Sequence, residues 1–404
     1  MTTKLFAGID IGLNEATVCC IDSEGKQLSP TRTVGNNLDG AREILAIIAD
    51  LAADETHIGL EATSVYGSHL RDFLLNSSNS RNWFVYEINP SLVAGFKKSF
   101  PRRDITDSTD ARMIAERVRL GYLRPYTKGD MLRQPLLQLT RHRLHLVKMI
   151  GQEKNRALNM IFLKFSNYKR DNPFSTVFGK ASLAVLNQLS PDEIVNMDIQ
   201  ELLSFINRHS RNMLPDPEKA ALTLKTIAQK AYRLHPKMSN SVNATLIMTL
   251  ENINFLEKQL AKLDKLIASE LKAIPQTLDT VTGIGPVYAA GIIAEIGDIS
   301  RFPNEAALAQ YAGLTWPRCQ SGEFEAEERR LTKEGNRYLR YYLVEAANSL
   351  RVFNEEYKAY YQKKYAEVTK HRHKRALVLT ARKFVRLVFA LLSKGQIYRK
   401  EMMV

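Results

Sequence analysis

Short apolar runs alternate with segments of helical periodicity over the first 125 residues. The runs that predict strands cover 5–11, 16–21, 27–34, 57–60 and 83–88. Apolar residues three and four apart predict helices over 38–51, 65–75 and 90–100, and a last one from about 108 to 120. Short links between the first three strands indicate an antiparallel meander, whereas the later strands, separated by helices, should run parallel. The pattern therefore predicts one mixed α/β domain over residues 1–125.

The rest of the chain is predicted to be mainly helical. A long helix rich in Lys and Arg is predicted over 132–165, and a strongly amphipathic helix over 246–271. The second helix could pack against the first or form a dimer, and the basic face of the first could contact phosphates or face solvent. We divide this part into a helical, coiled-coil region over 126–272 and a mainly α domain over 273–404.

The charge balance indicates a polyanionic partner. The 404 residues include 57 Lys and Arg but only 43 Asp and Glu, which gives a net charge of +14. A surplus of this size favours nucleic acid over an anionic membrane here, because no apolar run is long enough to span a bilayer. The N-terminus lacks a signal-peptide pattern, and Cys19, Cys20 and Cys319 have neither metal-binding nor disulfide spacing. We therefore expect a cytoplasmic, nucleoid-associated protein.

Four acidic residues occupy positions that the predicted domain would bring together. Asp10 interrupts the apolar first strand, and Glu61 ends the fourth strand. Asp107 and Asp110 are three residues apart, so they share one face at the start of the last helix. In a ribonuclease-H-like strand order these elements meet at one edge of the sheet. Four carboxylates there require cations, and two Mg²⁺ ions would suit both the acids and a phosphate substrate.

An ordinary structural role is also open for the helical pair. Asp107 can cap the helix, and Asp110 can be a first-turn acid that the helix dipole favours. The neighbouring Arg102, Arg103 and Arg112 suit a polyanionic substrate. Because two further acids lie upstream, we favour the metal site.

A glycine turn containing Gly283 and Gly285 leads into a helix in the C-terminal domain. This is the helix-hairpin-helix pattern, in which free backbone N–H groups bind a nucleic-acid phosphate. A tight turn between packed helices is the alternative. Five basic residues further along are candidate phosphate ligands, namely Arg329, Arg330, Lys333, Arg337 and Arg340.

Three short blocks contain the four acids. They read GIDIG at 8–12, EATSVY at 61–66 and TDSTDAR at 106–112. In this order and at this spacing they resemble the RuvC-like DEDD domain of insertion-sequence-110 family transposases and of the related Piv-type DNA invertases. One departure is Ile105, which stands where relatives carry a basic residue. The resemblance implies that Asp10, Glu61, Asp107 and Asp110 are catalytic metal ligands.

Blocks in the C-terminal domain resemble the second signature domain of the same family, the transposase-20 domain. They cover 294–302, 308–314, 320–322 and 332–340. In that family the serine of the Ser-Gly pair is the nucleophile, which corresponds to Ser321 here. Spacing alone would not select Ser321, because a Ser-Gly pair is usually a turn and no base is visible beside it. The acidic run Glu323–Glu328 departs from the small and basic residues of relatives.

The resemblance implies a DNA recombinase of a mobile element that exchanges strands through a transient phosphoserine link. It also implies a guide RNA encoded by the element, dimers that assemble into a tetramer, and an active site completed by a partner subunit. Two other functions stay open. A metal-dependent junction nuclease would hydrolyse DNA with water and would survive Ser321→Ala. A non-catalytic nucleic-acid-binding protein would survive Asp10→Asn or Asp107→Asn.

Overall fold

The computed structural model describes residues 2–62, 65–78, 82–99, 106–316, 320–321, 324–325 and 331–399. Contacts divide the chain into two compact units. The first contains Met1–Pro135, Gln276–Gly283 and Ile292–Val404, and the second contains Leu136–Pro275 and Ile284–Gly291.

Among the described residues, the first unit contains a five-stranded mixed sheet in the order β3-β2-β1-β4-β5. The strands are β1 (Lys4–Ile11), β2 (Glu15–Ile21), β3 (Arg32–Gly35), β4 (Glu55–Glu61) and β5 (Trp83–Ile88). β2 is antiparallel to both β1 and β3, and β4 and β5 run parallel to β1. This confirms the predicted ribonuclease-H-like order. The third strand is shorter than the predicted 27–34, since Pro30 cannot donate a ladder hydrogen bond and only Gln27 forms a bridge before it.

Helices cover both faces of this sheet. Their bounds are α1 (Leu38–Asp50), α2 (Ser68–Ser77), α3 (Pro90–Lys97) and α4 (Asp107–Arg119). Along β1, Leu5, Ala7 and Ile9 belong to the core shared with α1 and α2. Phe6 belongs to the core under α4 on the opposite face. Because side chains alternate along a strand, Gly8 and Asp10 lie on the α4 face.

Helix α4 lies almost in contact with the backbone of β1 and β4. A Cβ added at Gly8 would lie 2.1 Å from the carbonyl oxygen of Ala111 and 2.3 Å from the nitrogen of Ala115. A Cβ added at Gly59 would lie 2.4 Å from a methyl group of Val118. The two glycines therefore set how closely and where α4 crosses the sheet.

The second unit is helical. Its elements are α5 from residue 136 onwards (whole helix Lys128–Lys164), α6 (Tyr168–Asp171), α7 (Lys180–Gln188), α8 (Pro191–Asn196), α9 (Ile199–Ser210), α10 (Pro217–Lys230) and α11 (Pro236–Leu271). Both long helices are present as predicted, although α11 begins ten residues before its apolar stripe, where Pro236 occupies a first-turn position.

Several basic residues of α5 have acidic partners within the second unit. Arg143 pairs with Asp264 at 2.6 Å, and Lys154 pairs with Glu257 at 2.7 Å, so both pairs link α5 to α11. Pairing partly neutralises these two cations, and phosphate contact by the other basic residues of α5 stays a prediction.

The C-terminal part is also helical. Its elements are a 3₁₀ turn (Leu278–Thr280), α12 (Pro286–Ile296), a second 3₁₀ turn (Ile299–Arg301), α13 (Glu305–Tyr311), the short strands β6 (Gln320–Ser321) and β7 (Phe324–Glu325), α14 (Arg337–Phe353), α15 (Glu355–Ala366) and α16 (Arg372–Lys394). The fully buried Tyr357 and Phe384 pack edge to face between α15 and α16. Within the described residues, no helix has the length and apolar character needed to cross a bilayer.

Gly8→Ala should destabilise the first unit strongly, because the new methyl group would overlap the backbone of α4 rather than a movable side chain. We expect a loss of about 3 kcal/mol in the free energy of unfolding. Gly151→Ala in α5 is the matched control, since nothing lies within 4 Å of its added Cβ, and it should be neutral or stabilising by up to about 1 kcal/mol. Denaturant unfolding of both variants measures the difference, and equal effects would contradict the close approach.

Candidate active site

Asp10 and Glu61 lie side by side at one edge of the sheet. β1 and β4 are parallel with Ile9 opposite Leu60, so Asp10 and Glu61 are the next residues on the neighbouring strands. Both side chains are half-buried. Since Glu61 alternates with Leu60 of the opposite core, it shares the α4 face with Asp10.

The N-terminus of α4 brings the other two acids to the same edge. Thr106 is the N-cap, and its side chain accepts a hydrogen bond from the backbone nitrogen of Thr109. The expectation that Asp107 might cap the helix is therefore wrong, because the preceding threonine already does so. Asp107 is exposed and Asp110 is half-buried, both in the first turn.

The other three acids act electrostatically on Asp10. Burial raises the pKa of Asp10 above its ordinary value, and repulsion from Asp110, Asp107 and Glu61 raises it further. Lys97 acts in the opposite direction and lowers it. The fold therefore concentrates negative charge around a partly dehydrated carboxylate, which an added cation would stabilise.

Lys97, the last residue of α3, supplies one positive charge. Its Nζ lies 2.8 Å from Oδ1 of Asp110. No local pattern predicts this contact, since Lys97 precedes Asp110 by thirteen positions and lies on a different helix. Asp110 thus has a protein cation as its partner.

A cleft of about 410 Å³ opens beside Asp10 and Asp107. Its other lining residues are Ile11, Gly12, Asn14, Glu15 and Thr17. Carboxylate oxygens of this kind are the donors that Mg²⁺ prefers, so the donor chemistry fits such an ion. Within the described residues, no three His, Cys, Asp or Glu side chains stand close enough together to surround a metal.

Of the three arginines expected near the acids, Arg112 lies within the described residues. Arg112 donates from Nη2 to the carbonyl oxygen of Gly25, in the turn after β2. At least part of its guanidinium is therefore engaged within the protein. Arg102 and Arg103 lie outside the described residues, as do Arg329 and Arg330.

Ser321 lies in β6, where its backbone pairs with Phe324 of β7. Its side chain lies outside the described residues. The segment that contains it begins and ends at a pair of threonines, since the nitrogen of Thr332 donates to the carbonyl oxygen of Thr315 at 3.0 Å. This hydrogen bond joins the backbone of Thr332 to that of Thr315, which lie on either side of Ser321 in the sequence.

Two residues that follow Thr332 hold this part of the chain in place through side-chain hydrogen bonds. Asn336 caps α14 through the nitrogens of Tyr338 and Leu339, and its Nδ2 donates to the buried Glu295 at 2.7 Å. Arg340 donates from Nη1 to the carbonyl oxygens of Ala312 and Lys333.

Of the predicted phosphate ligands in this part, Lys333 and Arg337 are exposed. Arg340 is half-buried, and burial lowers its pKa from the ordinary value. Its Nη1 already donates to the carbonyl oxygens of Ala312 and Lys333. Phosphate binding by all three stays a prediction.

The glycine turn has a packing role at its first glycine. Gly283 has φ +97°, and an added Cβ would lie 3.2 Å from Cβ of Phe353. Ser349 donates to its carbonyl oxygen at 2.6 Å. Only a 3₁₀ turn precedes it, whereas Gly285 has nothing within 4 Å of an added Cβ. Phosphate binding at this turn stays a prediction, and Gly285 is the glycine with open space.

An ion pair joins the N-terminal and C-terminal parts of the first unit. Arg124, which follows α4, contacts Asp130 through Nη1 at 3.2 Å and Asp298 through Nη2 at 3.3 Å. Asp298 caps the second 3₁₀ turn through the nitrogen of Ser300. The domain with the four acids therefore has a direct polar contact with the C-terminal domain of the same chain.

Comparisons with known proteins identify both parts. Residues 7–165 match the transposase model of the IS110 DEDD domain, and residues 275–362 match the IS116/IS110/IS902 family transposase model. An insertion element IS116 44.8 kDa protein of Streptomyces clavuligerus is 22% identical over 98% of this chain and 96% of its own. The transposase for insertion sequence element IS1111A of Coxiella burnetii is 27% identical over 58% of this chain and 69% of its own.

Among solved structures, Thermus thermophilus RuvC in complex with Holliday junction substrate is similar to the N-terminal part. It is 13% identical with a TM-score of 0.25, over 30% of this chain and 99% of that chain. The strand order and strand directions described above define the fold without this similarity.

The fold and the two matched segments together define a DNA transposase. Since both segments match models of one family and together span more than half of the sequence, the chain belongs to the IS110 family of insertion-sequence transposases. It is therefore an enzyme that acts on DNA.

Asp10→Asn should stabilise the metal-free protein at neutral pH. The folded-state pKa of Asp10 is raised, so its contribution to stability is fully present below the unfolded-state pKa and is lost as pH rises through the folded-state value. Asparagine carries no charge, so the variant does not lose this stability as pH rises. Thermal melts in EDTA should show a higher melting temperature for Asp10→Asn than for the wild type at neutral pH, and the gap should close in acid. A lower melting temperature at neutral pH would contradict the crowding of charge.

Lys97→Met should destabilise the metal-free protein and make Mg²⁺ more stabilising, because Asp110 loses its protein cation. The pair is partly exposed, so we expect a loss of up to about 1 kcal/mol. Lys98→Met, at the exposed neighbouring position, is the control. Thermal melts with EDTA and with excess Mg²⁺ measure both effects. Identical behaviour of the two variants would show that Lys97 does not compensate the acids.

Proposed function

We propose that this transposase cuts and rejoins DNA strands with Mg²⁺ held by four carboxylates and with Ser321 as a covalent nucleophile. The observation that supports the proposal is the electrostatic effect of Asp110, Asp107 and Glu61 on the half-buried Asp10, in a chain of a transposase family. Burial and the neighbouring acids make the charge on Asp10 unfavourable without cations, which a purely structural role does not require.

The acids would hold two Mg²⁺ ions against the DNA backbone. When bound, Mg²⁺ supplies positive charge to the phosphate oxygens and to the attacking and leaving oxygens. The chain's own contribution is to hold the four acids in position. β1 and β4 fix Asp10 and Glu61 as neighbours, and the capped start of α4 directs Asp107 and Asp110 towards them.

Ser321 would exchange one ester bond for another. Its Oγ forms a bond to phosphorus while a bridging phosphorus–oxygen bond of the DNA breaks, and the serine proton ends on the sugar hydroxyl that leaves. A hydroxyl of the second strand then attacks the phosphoserine, and the serine is regenerated. Because each step replaces one phosphodiester by another, no external energy source is needed.

The resemblance to the family supports further features of the proposal. They are a guide RNA encoded by the element that pairs with donor and target DNA, and dimers that assemble into a tetramer. A partner subunit would then deliver its serine to the acids of this chain. The reaction would take place in the cytoplasm, at the nucleoid.

Hydrolysis by the acids alone is the competing function. A metal-dependent junction nuclease keeps all four carboxylates and needs no serine. The acidic run after Ser321 is compatible with this alternative, because negative charge beside a covalent phosphoserine is repulsive unless it faces away.

Ser321→Ala should abolish covalent attachment to DNA, while Asp107→Asn should abolish both attachment and cleavage. The assay incubates the protein and its co-purified RNA with labelled element-end DNA and Mg²⁺, followed by denaturing gels. We expect a protein–DNA adduct for the wild type and a loss of at least about 10³-fold for Ser321→Ala. Ser393→Ala, at an exposed position in α16, is the control and should leave the adduct unchanged.

Three outcomes decide between the functions. Cleavage that survives Ser321→Ala without any adduct supports the junction nuclease. DNA exchange that survives both Asp10→Asn and Asp107→Asn supports a non-catalytic binding protein. Loss of the adduct in Ser321→Ala with a normal melting temperature supports the serine nucleophile.

A further inference from the structure

The end of α15 and the start of α16 form an exposed surface of aromatic and basic side chains. We call this the tyrosine–arginine surface, formed by Tyr361, Tyr365, Arg372, His373, Lys374 and Arg375. Residues 358–375 include seven Lys or Arg and a single acid, Glu367. Glu367 forms an ion pair with Lys364 at 2.7 Å, so it does not neutralise the other Lys and Arg side chains. The surface is thus complementary in charge to a polyanion.

The positive charge here is unfavourable for the helix itself. Arg372, His373, Lys374 and Arg375 occupy the first turn of α16, which contains no acid, and His371 provides no side-chain cap. All four are exposed, and in the described part of the chain no carboxylate forms an ion pair with the three Lys and Arg side chains. Cations at the positive end of a helix dipole are destabilising. Folding alone therefore does not account for this run, whereas an anionic partner would.

Aromatic rings lie directly beside these cations. The centroids of Tyr361 and Tyr365 are 5.9 Å apart, and the hydroxyl of Tyr361 lies 2.7 Å from Nδ1 of His373. The guanidinium of Arg372 lies 5.8 Å from the ring centre of Tyr365. Tyr365 nevertheless keeps 40% of its surface exposed. A phosphate backbone alone would need no aromatic surface, but unstacked bases would use one.

We propose that the tyrosine–arginine surface binds an unpaired strand of DNA, with a base stacked on Tyr365 and phosphates contacted by Arg372 and Arg375. A duplex hides its base faces, so it would use only the cations. We choose DNA because strand exchange leaves unpaired DNA ends, and to that extent the inference rests on the proposed function. The matched family segment ends at residue 362. Apart from Tyr361, every residue of the tyrosine–arginine surface lies beyond it.

Tyr365→Leu should weaken binding of unpaired DNA by about 10-fold, because stacking on one base is lost. Full-length protein is titrated into a labelled single-stranded oligonucleotide in EDTA, so that no cleavage occurs, and fluorescence anisotropy is measured. Tyr365→Phe keeps the ring and should bind like the wild type. Tyr232→Leu removes a tyrosine that is 84% exposed in the second unit and should have no effect.

Arg372→Gln together with Arg375→Gln should lower the salt dependence of the same binding. Each lost phosphate contact reduces the slope of log affinity against log salt by about 0.7 for single strands, so we expect a change of about 1.4. Arg208→Gln with Arg211→Gln, both exposed near the end of α9, is the control and should leave the slope unchanged.

Three results would overturn the inference. Equal loss of blunt duplex binding in Tyr365→Leu would indicate a backbone contact without stacking. Tighter, Tyr365-dependent binding of single-stranded RNA would exclude DNA as the ligand. A Tyr365→Leu variant that binds like Tyr232→Leu would remove the stacking site altogether. The serine adduct is measured separately, so loss of the adduct with intact Tyr365-dependent binding would contradict the proposed chemistry alone.

Discussion

The close approach of α4 to the backbone of β1 is the contact on which the N-terminal domain depends. At Gly8 the helix backbone occupies the space that any side chain would fill, and Ala111 and Ala115 are the small residues that face it. Helix α4 crosses β1 at Gly8 and begins beyond the carboxyl end of that strand. The cap at Thr106 then places two acids next to Asp10.

This packing produces an arrangement that is electrostatically unfavourable for the folded protein. Acids from two strands and one helix share an edge where burial already disfavours the charge on Asp10. Lys97 offsets part of the repulsion through Asp110. Proteins commonly accept a cost in stability at sites that bind charged ligands. In the proposed function, cations bound by the acids would offset this cost.

In the C-terminal domain, polar contacts hold the backbone before and after Ser321. A backbone hydrogen bond joins Thr332 to Thr315, while Asn336 and Arg340 form side-chain hydrogen bonds further along the chain. Arg124 and Asp298 connect the C-terminal domain to the N-terminal domain within the first unit.

Apolar patterning by itself determined the N-terminal sheet, because strand and helix periods differ and the connection lengths fix strand direction. It also indicated the four acids, since Asp10 breaks a buried run and Asp107 and Asp110 share a helix face. The patterning failed at β3, where Pro30 ends the hydrogen-bond ladder, and at the cap of α4. Only the tertiary structure revealed the contact of Lys97 with Asp110 and the surface around Tyr365. Both depend on which helices lie side by side, and residues far apart in the chain carry no local signal of such packing.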